Sequence, residues 1–155
     1  FLDFNIFNYN YGNLIEFNLP KINWIKDDYE LPIEDIRNLG KLLIESDLLL
    51  TEYSTLMIEA AIFDLPIINV ALGKFRDTNQ PISIIEDLNH LKRVLKTKAT
   101  RQAYSLDELT NQINQYISNP QLDSDNRKKL VEQEITSNIG NAGKSIGKYI
   151  YNLIR

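Results

Sequence analysis

From Ile33 onward, apolar side chains at Ile36, Leu39, Leu42 and Leu43 recur at helical spacing, and the pattern breaks at Ser46 and Asp47. This predicts a helix between those limits. Leu48 to Thr51 is a short apolar run without helical period, followed at once by Ser54 and Thr55, either of which can cap a new helix from Met57 to Phe63. Pro66 forces a new element, and the β-branched stretch Ile67 to Ala71 reads as a buried strand even though it contains Asn69. Upstream, Leu14 to Leu19 alternates as a short strand, Lys21 to Ile25 reads as another, and Asp27 to Pro32 reads as a loop. Residues 22 to 71 therefore read strand, helix, strand, helix, strand. Such alternation implies a parallel sheet with helices on its faces, because parallel neighbours need crossover connections of about this length.

Beyond a mixed stretch from Leu72 to Tyr104, Ser105 and Glu108 have capping-box spacing and open a helix carrying Leu106, Leu109, Ile113, Tyr116 and Ile117. It ends at Asn119 and Pro120. A further helix begins near Ser124 and buries Leu130, Val131 and Ile135, with the basic run Arg127, Lys128 and Lys129 expected as a solvated face. Asn138 to Gly143 punctuates the chain before a last helix with Ile146, Ile150, Leu153 and Ile154 on one side. Gly140, Gly143 and Gly147 lack the spacing and the preceding strand of a phosphate-binding glycine loop, and read as a turn and close helix packing.

Composition narrows the function classes. The 155 residues suffice for one domain with one core, and a net charge of −4 gives no broad basic field for duplex nucleic acid. Without cysteine there is no disulfide, thiolate nucleophile or thiolate metal site, and the lone His90 cannot build a multi-histidine centre, so no metal is expected. No apolar run approaches the roughly 20 residues that span a bilayer. The chain opens on Phe1 without the pattern of a signal peptide, which reads as a fragment of a longer protein.

Chemistry concentrates in residues 46 to 70, SDLLLTEYSTLMIEAAIFDLPIINV. Ligand sites of parallel α/β sheets lie beyond the carboxyl ends of the strands, and amide groups at a helix start can receive a diphosphate. Ser54 and Thr55 would add hydroxyls. Glu59, four residues after Thr55 and so on much the same face, would accept hydrogen bonds from the hydroxyls of a ribose. The competing reading makes Ser54 a simple helix cap and Glu59 a solvated helix residue. Lys74 and Arg76, after the strand at 67 to 71, either neutralise a leaving diphosphate or form a solvated charge pair. His90 is either a phosphate or acceptor contact, and the one candidate catalytic group, or a surface histidine on a short helix.

Asp47, Glu52, Tyr53, Ser54, Thr55, Glu59 and Pro66 resemble the donor-binding segment of GT-B transferases, in which a strand ends in an Asp- or Glu-Tyr-Ser-Thr/Ser turn that leads into a helix. The likeness is to bacterial surface-polysaccharide glycosyltransferases and CDP-glycerol glycerophosphotransferases, and more distantly to UDP-N-acetylglucosamine 2-epimerases. DLNHL near 87 to 91, the capped helix at 105 to 118, NPQLD, Arg127 and NIGNAGKSIGKYI extend it over roughly residues 33 to 154. It implies an α/β, Rossmann-like parallel sheet with flanking helices, the C-terminal half of a GT-B two-domain architecture. Residues 1–155 would then be a single nucleotide-sugar-binding domain, with 1–32 poorly assigned and an N-terminal acceptor-binding domain missing.

The implied ligand is a nucleotide-sugar donor, held through Tyr53, Ser54, Thr55, Glu59, Lys74 and Arg76 without further cofactor. The implied reaction is transfer to a surface-polysaccharide or glycolipid acceptor, in the cytoplasm or peripherally at the inner membrane face through that acceptor. Retaining Glu59 beside Glu52-Tyr53-Ser54-Thr55 favours a sugar donor over CDP-glycerol. A CDP-glycerol glycerophosphotransferase domain, an epimerase-like domain and a non-catalytic interaction domain are the alternatives. The last helix either docks on the absent domain or completes the core of this one.

Overall fold

The computed structural model describes residues 15, 16, 18–21, 23–25 and 28–154. Contacts group the chain into two units, residues 1–40 and 41–155. In the first, β1 (Asn23–Ile25) and β2 (Asp28–Glu30) pair antiparallel, with Asn23 opposite Glu30 and Ile25 opposite Asp28. The first strand of the expected alternation thus belongs to a separate hairpin, and residues 28–30, expected as loop, form its second arm. Strands adjacent in sequence pair antiparallel through a short turn, at a lower loop-closure cost than pairing with a distant strand. Of the strand expected over Leu14 to Leu19, residues 15, 16, 18 and 19 lie in no strand and the others fall outside the described residues. The helix α1 (Ile33–Glu45) follows, as its periodicity predicts, with Asp35 accepting the Lys21 amide at 2.7 Å.

The second unit is built on three parallel strands, β3 (Leu49–Thr51), β4 (Ile67–Val70) and β5 (Arg101–Ala103), in the order β3-β4-β5. Between β3 and β4 runs α2 (Leu56–Ile62); between β4 and β5 run a 3-10 helix (Ile82–Asp87) and α3 (Asn89–Lys96). After β5 come α4 (Leu106–Ser118), α5 (Ser124–Glu134) and α6 (Ala142–Leu153). The chain is thus an α/β protein with a small open parallel sheet and flanking helices.

Strand pleating divides the core, since successive side chains point to opposite faces. Ile67 packs with Leu43, Met57, Ala60, Ala61, Leu91, Val94 and Leu130, on the face covered by α2, α3 and α5. Its neighbour Ile68 packs with Ala103 and Tyr116, flanked by Leu109 and Ile113 of α4, on the other face. Both isoleucines are fully buried, which explains why β4 reads as a continuous apolar run instead of an alternating one.

Two expectations are corrected, and one of two alternatives drops out. Arg127 is not part of a solvated face: its side chain is fully buried, while Lys128 and Lys129 are exposed. Its guanidinium donates to Asp64 Oδ1 at 2.7 Å and to the carbonyls of Leu122 and Pro120 at 2.7 and 3.0 Å, and Ser124 Oγ donates to Asp64 Oδ2 at 2.8 Å. A guanidinium carries enough planar donors to satisfy a carboxylate and two carbonyls at once, so burial is met by full pairing. Gly143 and Gly147 do not mediate close packing, because a Cβ at either would meet nothing within 4 Å; only Gly140, at φ +74°, supplies the turn. Nor does α6 complete the core: it buries none of its residues.

Candidate functional site

The carboxyl ends of the three strands carry the polar side chains that shape this site. Directly after β3 the chain turns sharply, with Tyr53 in the left-handed region at φ 47°. Such a conformation is uncommon for a bulky residue and persists only where the surroundings fix it. Asn69 on β4, fully buried, accepts the Tyr53 N–H on Oδ1 at 3.2 Å. Its own amide donates to Thr100 Oγ1 at 3.3 Å, and Gln102 donates to the same hydroxyl at 2.9 Å. A buried amide in the central strand thereby ties the turn after β3 to the segment entering β5.

Tyr53 is anchored at its other end as well. Its hydroxyl donates to Glu86 of the 3-10 helix, and the hydroxyl of Tyr104, just past β5, donates to both oxygens of that carboxylate at 2.9 and 3.1 Å. Burial, then the Glu86 hydrogen bond and negative charge, push the Tyr53 hydroxyl well above the usual phenol range. The same causes, with a smaller contribution from Glu108, push Tyr104 up to about 12. Residues following all three strands are thus joined through one carboxylate.

The stretch between this turn and α2 is where the expected contacts concentrate. Thr55 precedes α2 at φ −59° and makes no side-chain cap; Ser54 instead accepts the Leu56 N–H on Oγ at 3.2 Å. The amides of Met57 and Ile58 turn back onto the carbonyls of Ser54 and Thr55 at 3.1 and 2.9 Å. The first amides of the helix are therefore occupied, whereas the N–H groups of Ser54 and Thr55 have no acceptor among the described residues. Donors for an anion sit in the strap before the helix, one step earlier than a helix-start argument places them.

Tyr53, Thr55 and His90 line a common pocket of about 150 Å³ with Met57, Ile58, Leu91 and Val94. Arg93 and Glu134, paired between α3 and α5, line it too. His90 thus comes to the strap from the first turn of α3. Glu59 is exposed on α2 and lies outside this pocket. Lys74 and Arg76 sit in a small excursion closed by Phe75 N–H on the Gln80 carbonyl at 2.9 Å. There Lys74 donates to Asn79 at 3.3 Å and the Arg76 guanidinium lies 5.0 Å from the Phe75 ring centre. The structure therefore brings together Tyr53, Thr55 and His90 in one pocket, whose lining does not include Glu59, Lys74 or Arg76.

A larger cavity, about 320 Å³, opens at the opposite edge of the sheet between Leu43, Asp47, Phe63, Asp64, Pro66 and Tyr116. Size favours it over the carboxyl-edge pocket. Chemistry does not: Asp64 is committed to Arg127 and Ser124, and ligands of parallel sheets gather at the carboxyl edge. The amino edge carries a second fastening, in which Arg101 and Tyr116 donate to Asp123 Oδ2 at 2.7 and 2.8 Å.

Asn69, Glu86 and Tyr104 were not singled out from the sequence. Asn69 left a signal, a polar residue inside an apolar strand, which only a partnered buried amide explains. Glu86 and Tyr104 left none, since their relation to Tyr53 spans 33 residues or more of chain. No protein family, curated protein or solved structure matches this chain.

Proposed function

We propose that residues 41–155 bind the nucleoside diphosphate of an activated sugar at the carboxyl edge of the sheet, as the donor half of a GT-B glycosyltransferase. The observation that carries this reading is the Tyr53-Ser54-Thr55 strap, fixed at Tyr53 by Asn69 and Glu86 and leaving two adjacent backbone donors unoccupied. Rigid amides aimed at a developing negative charge stabilise a leaving diphosphate without reorganisation. Thr55 supplies a hydroxyl beside them, and His90 closes the same pocket. Glu59, one helical turn beyond Thr55 and solvent-exposed, is the ribose contact of this reading.

In the reaction, an acceptor hydroxyl oxygen bonds to the anomeric carbon while the bond from that carbon to the diphosphate breaks. The acceptor's proton passes to a base on a partner domain, and the nucleoside diphosphate departs with the bonding electrons. This domain contributes position and charge stabilisation. The test is calorimetric titration with UDP, CDP, GDP and dTDP, read together with amide shifts of residues 52–60. Binding of one of them with shifts at Ser54 and Thr55 supports the reading; no heat and no shift with all four at millimolar concentration defeats it.

A further inference from the structure

The last helix is amphipathic, and its apolar face is open to solvent. Ile146 is 59% exposed, Tyr149 65%, Ile150 52% and Leu153 66%, and α6 buries no residue. At about 3.6 residues per turn these four fall on one side of the helix, and Lys144 and Lys148 fall on the other. From Ile135 to Arg155 the sequence contains no Asp or Glu, while Lys144, Lys148 and Arg155 are basic. The chain as a whole is acidic, at −4, so its acidic excess lies entirely outside this segment.

We propose that α6 is a membrane-surface anchor that lies in the headgroup plane of an anionic bilayer. Charge decides the occupant: an apolar face backed by lysines, with no acidic residue, is complementary to a negatively charged interface and is the composition of in-plane helices. Tyr149, at the margin of the apolar face, suits the amphipathic boundary where aromatic hydroxyls settle. Twelve residues make a rod of about 18 Å, too short to cross the roughly 30 Å hydrocarbon layer, so the helix lies on the surface and does not span it. The lipid face and the carboxyl-edge pocket share no residue, and the proposal stands whether or not a nucleotide binds.

The experiment is co-sedimentation of the whole chain with vesicles of phosphatidylglycerol or of phosphatidylcholine, at low and high salt. The chain is expected on phosphatidylglycerol, weakened by salt, and much less on phosphatidylcholine. Exposed positions can be changed without disturbing the core, so Ile150→Asp with Leu153→Asp should abolish binding while leaving the circular dichroism spectrum unchanged. Lys144→Glu with Lys148→Glu should weaken it about thirtyfold or more, taking about 1 kcal/mol for each lysine near the surface. Absence of phosphatidylglycerol binding, or binding that survives both variants, overturns the proposal. Self-association lost in Ile150→Asp with Leu153→Asp, without vesicle binding, also overturns it and assigns the face to a second copy of the chain.

Discussion

Asn69, buried in the central strand, accepts the backbone N–H of Tyr53 at 3.2 Å and so holds a left-handed residue at the end of the neighbouring strand. Replacing it by Leu keeps the volume but leaves that N–H without its acceptor and the Thr100 hydroxyl with Gln102 as its remaining partner. Unpaired buried polar groups cost about 1–3 kcal/mol each. Asn69→Leu is therefore expected to lower urea stability by at least about 1 kcal/mol and to weaken nucleotide binding by more than Asn69→Asp does, since Asp keeps the acceptor. Equal binding by wild type and Asn69→Leu would show that the strap is not set by this contact.

Arg127 and Asp64 are expected to behave as a buried pair. Removing the carboxylate leaves a fully buried guanidinium uncompensated, so Asp64→Ala should cost about 3 kcal/mol, the low end for such pairs because the Asp64 side chain is 37% exposed. Adding Arg127→Met should recover part of that loss. A double-mutant cycle with no coupling would mean that the pair contributes nothing specific.

The same pair predicts acid sensitivity. Burial raises the Asp64 carboxyl, but the hydrogen bonds from Ser124 and Arg127 and the charges of Arg127 and Lys128 outweigh it, and the net shift is downward from 3.8. A lowered folded value means that this stabilisation is complete above the ordinary aspartate range and lost as pH falls through the folded value. Stability measured below about pH 5 should therefore fall less steeply in Asp64→Asn than in wild type. Parallel slopes would refute the linkage.

The elements around β3, α2 and β4 were legible because each depends on local chemistry: the helical period of residues 33–43, the break at Pro66, the β-branched run at 67–70. The capping box at Ser105 is likewise present, with Ser105 Oγ accepting the Glu108 N–H at 3.2 Å, although Glu108 returns to the Tyr104 amide. What sequence could not yield are relations between distant residues. Arg127 looks like its neighbours Lys128 and Lys129, and only the turn at Asp64, 63 residues earlier, decides that it is buried. The candidate site was legible only in part for the same reason: the strap is local, whereas the carboxylate that clamps it comes from Glu86.

Alkaline titration should expose that clamp. Tyr104 is raised from 10.0 to about 12, with Tyr53 raised further. A raised folded value gives stability that is complete below pH 10 and lost as pH rises toward and through the folded value. Phenolate absorbance should accordingly show tyrosines that ionise late, and Glu86→Gln should move them toward the ordinary range by removing the charge while sparing an acceptor. An unchanged titration in Glu86→Gln would mean that burial alone sets these hydroxyls.

The proposed donor site turns on Thr55 and Glu59, and each can be removed with little cost to the fold. Thr55 has φ −59° and an N–H without an acceptor among the described residues, so proline fits its backbone and removes that N–H together with the side-chain hydroxyl. Thr55→Pro should fold with wild-type stability and weaken both nucleoside diphosphate and inorganic pyrophosphate by at least about tenfold, a charge-assisted hydrogen bond being worth roughly 1.5 kcal/mol and the lost hydroxyl adding to the lost N–H. Glu59→Gln should weaken the nucleoside diphosphate by a similar factor and leave pyrophosphate unchanged, because only the former carries a ribose. Calorimetric titration of both ligands against both variants separates the two roles. Equal weakening of pyrophosphate and nucleotide by Glu59→Gln would remove the ribose assignment while leaving the strap intact, and wild-type affinities in folded Thr55→Pro would mean that the diphosphate does not sit against this segment.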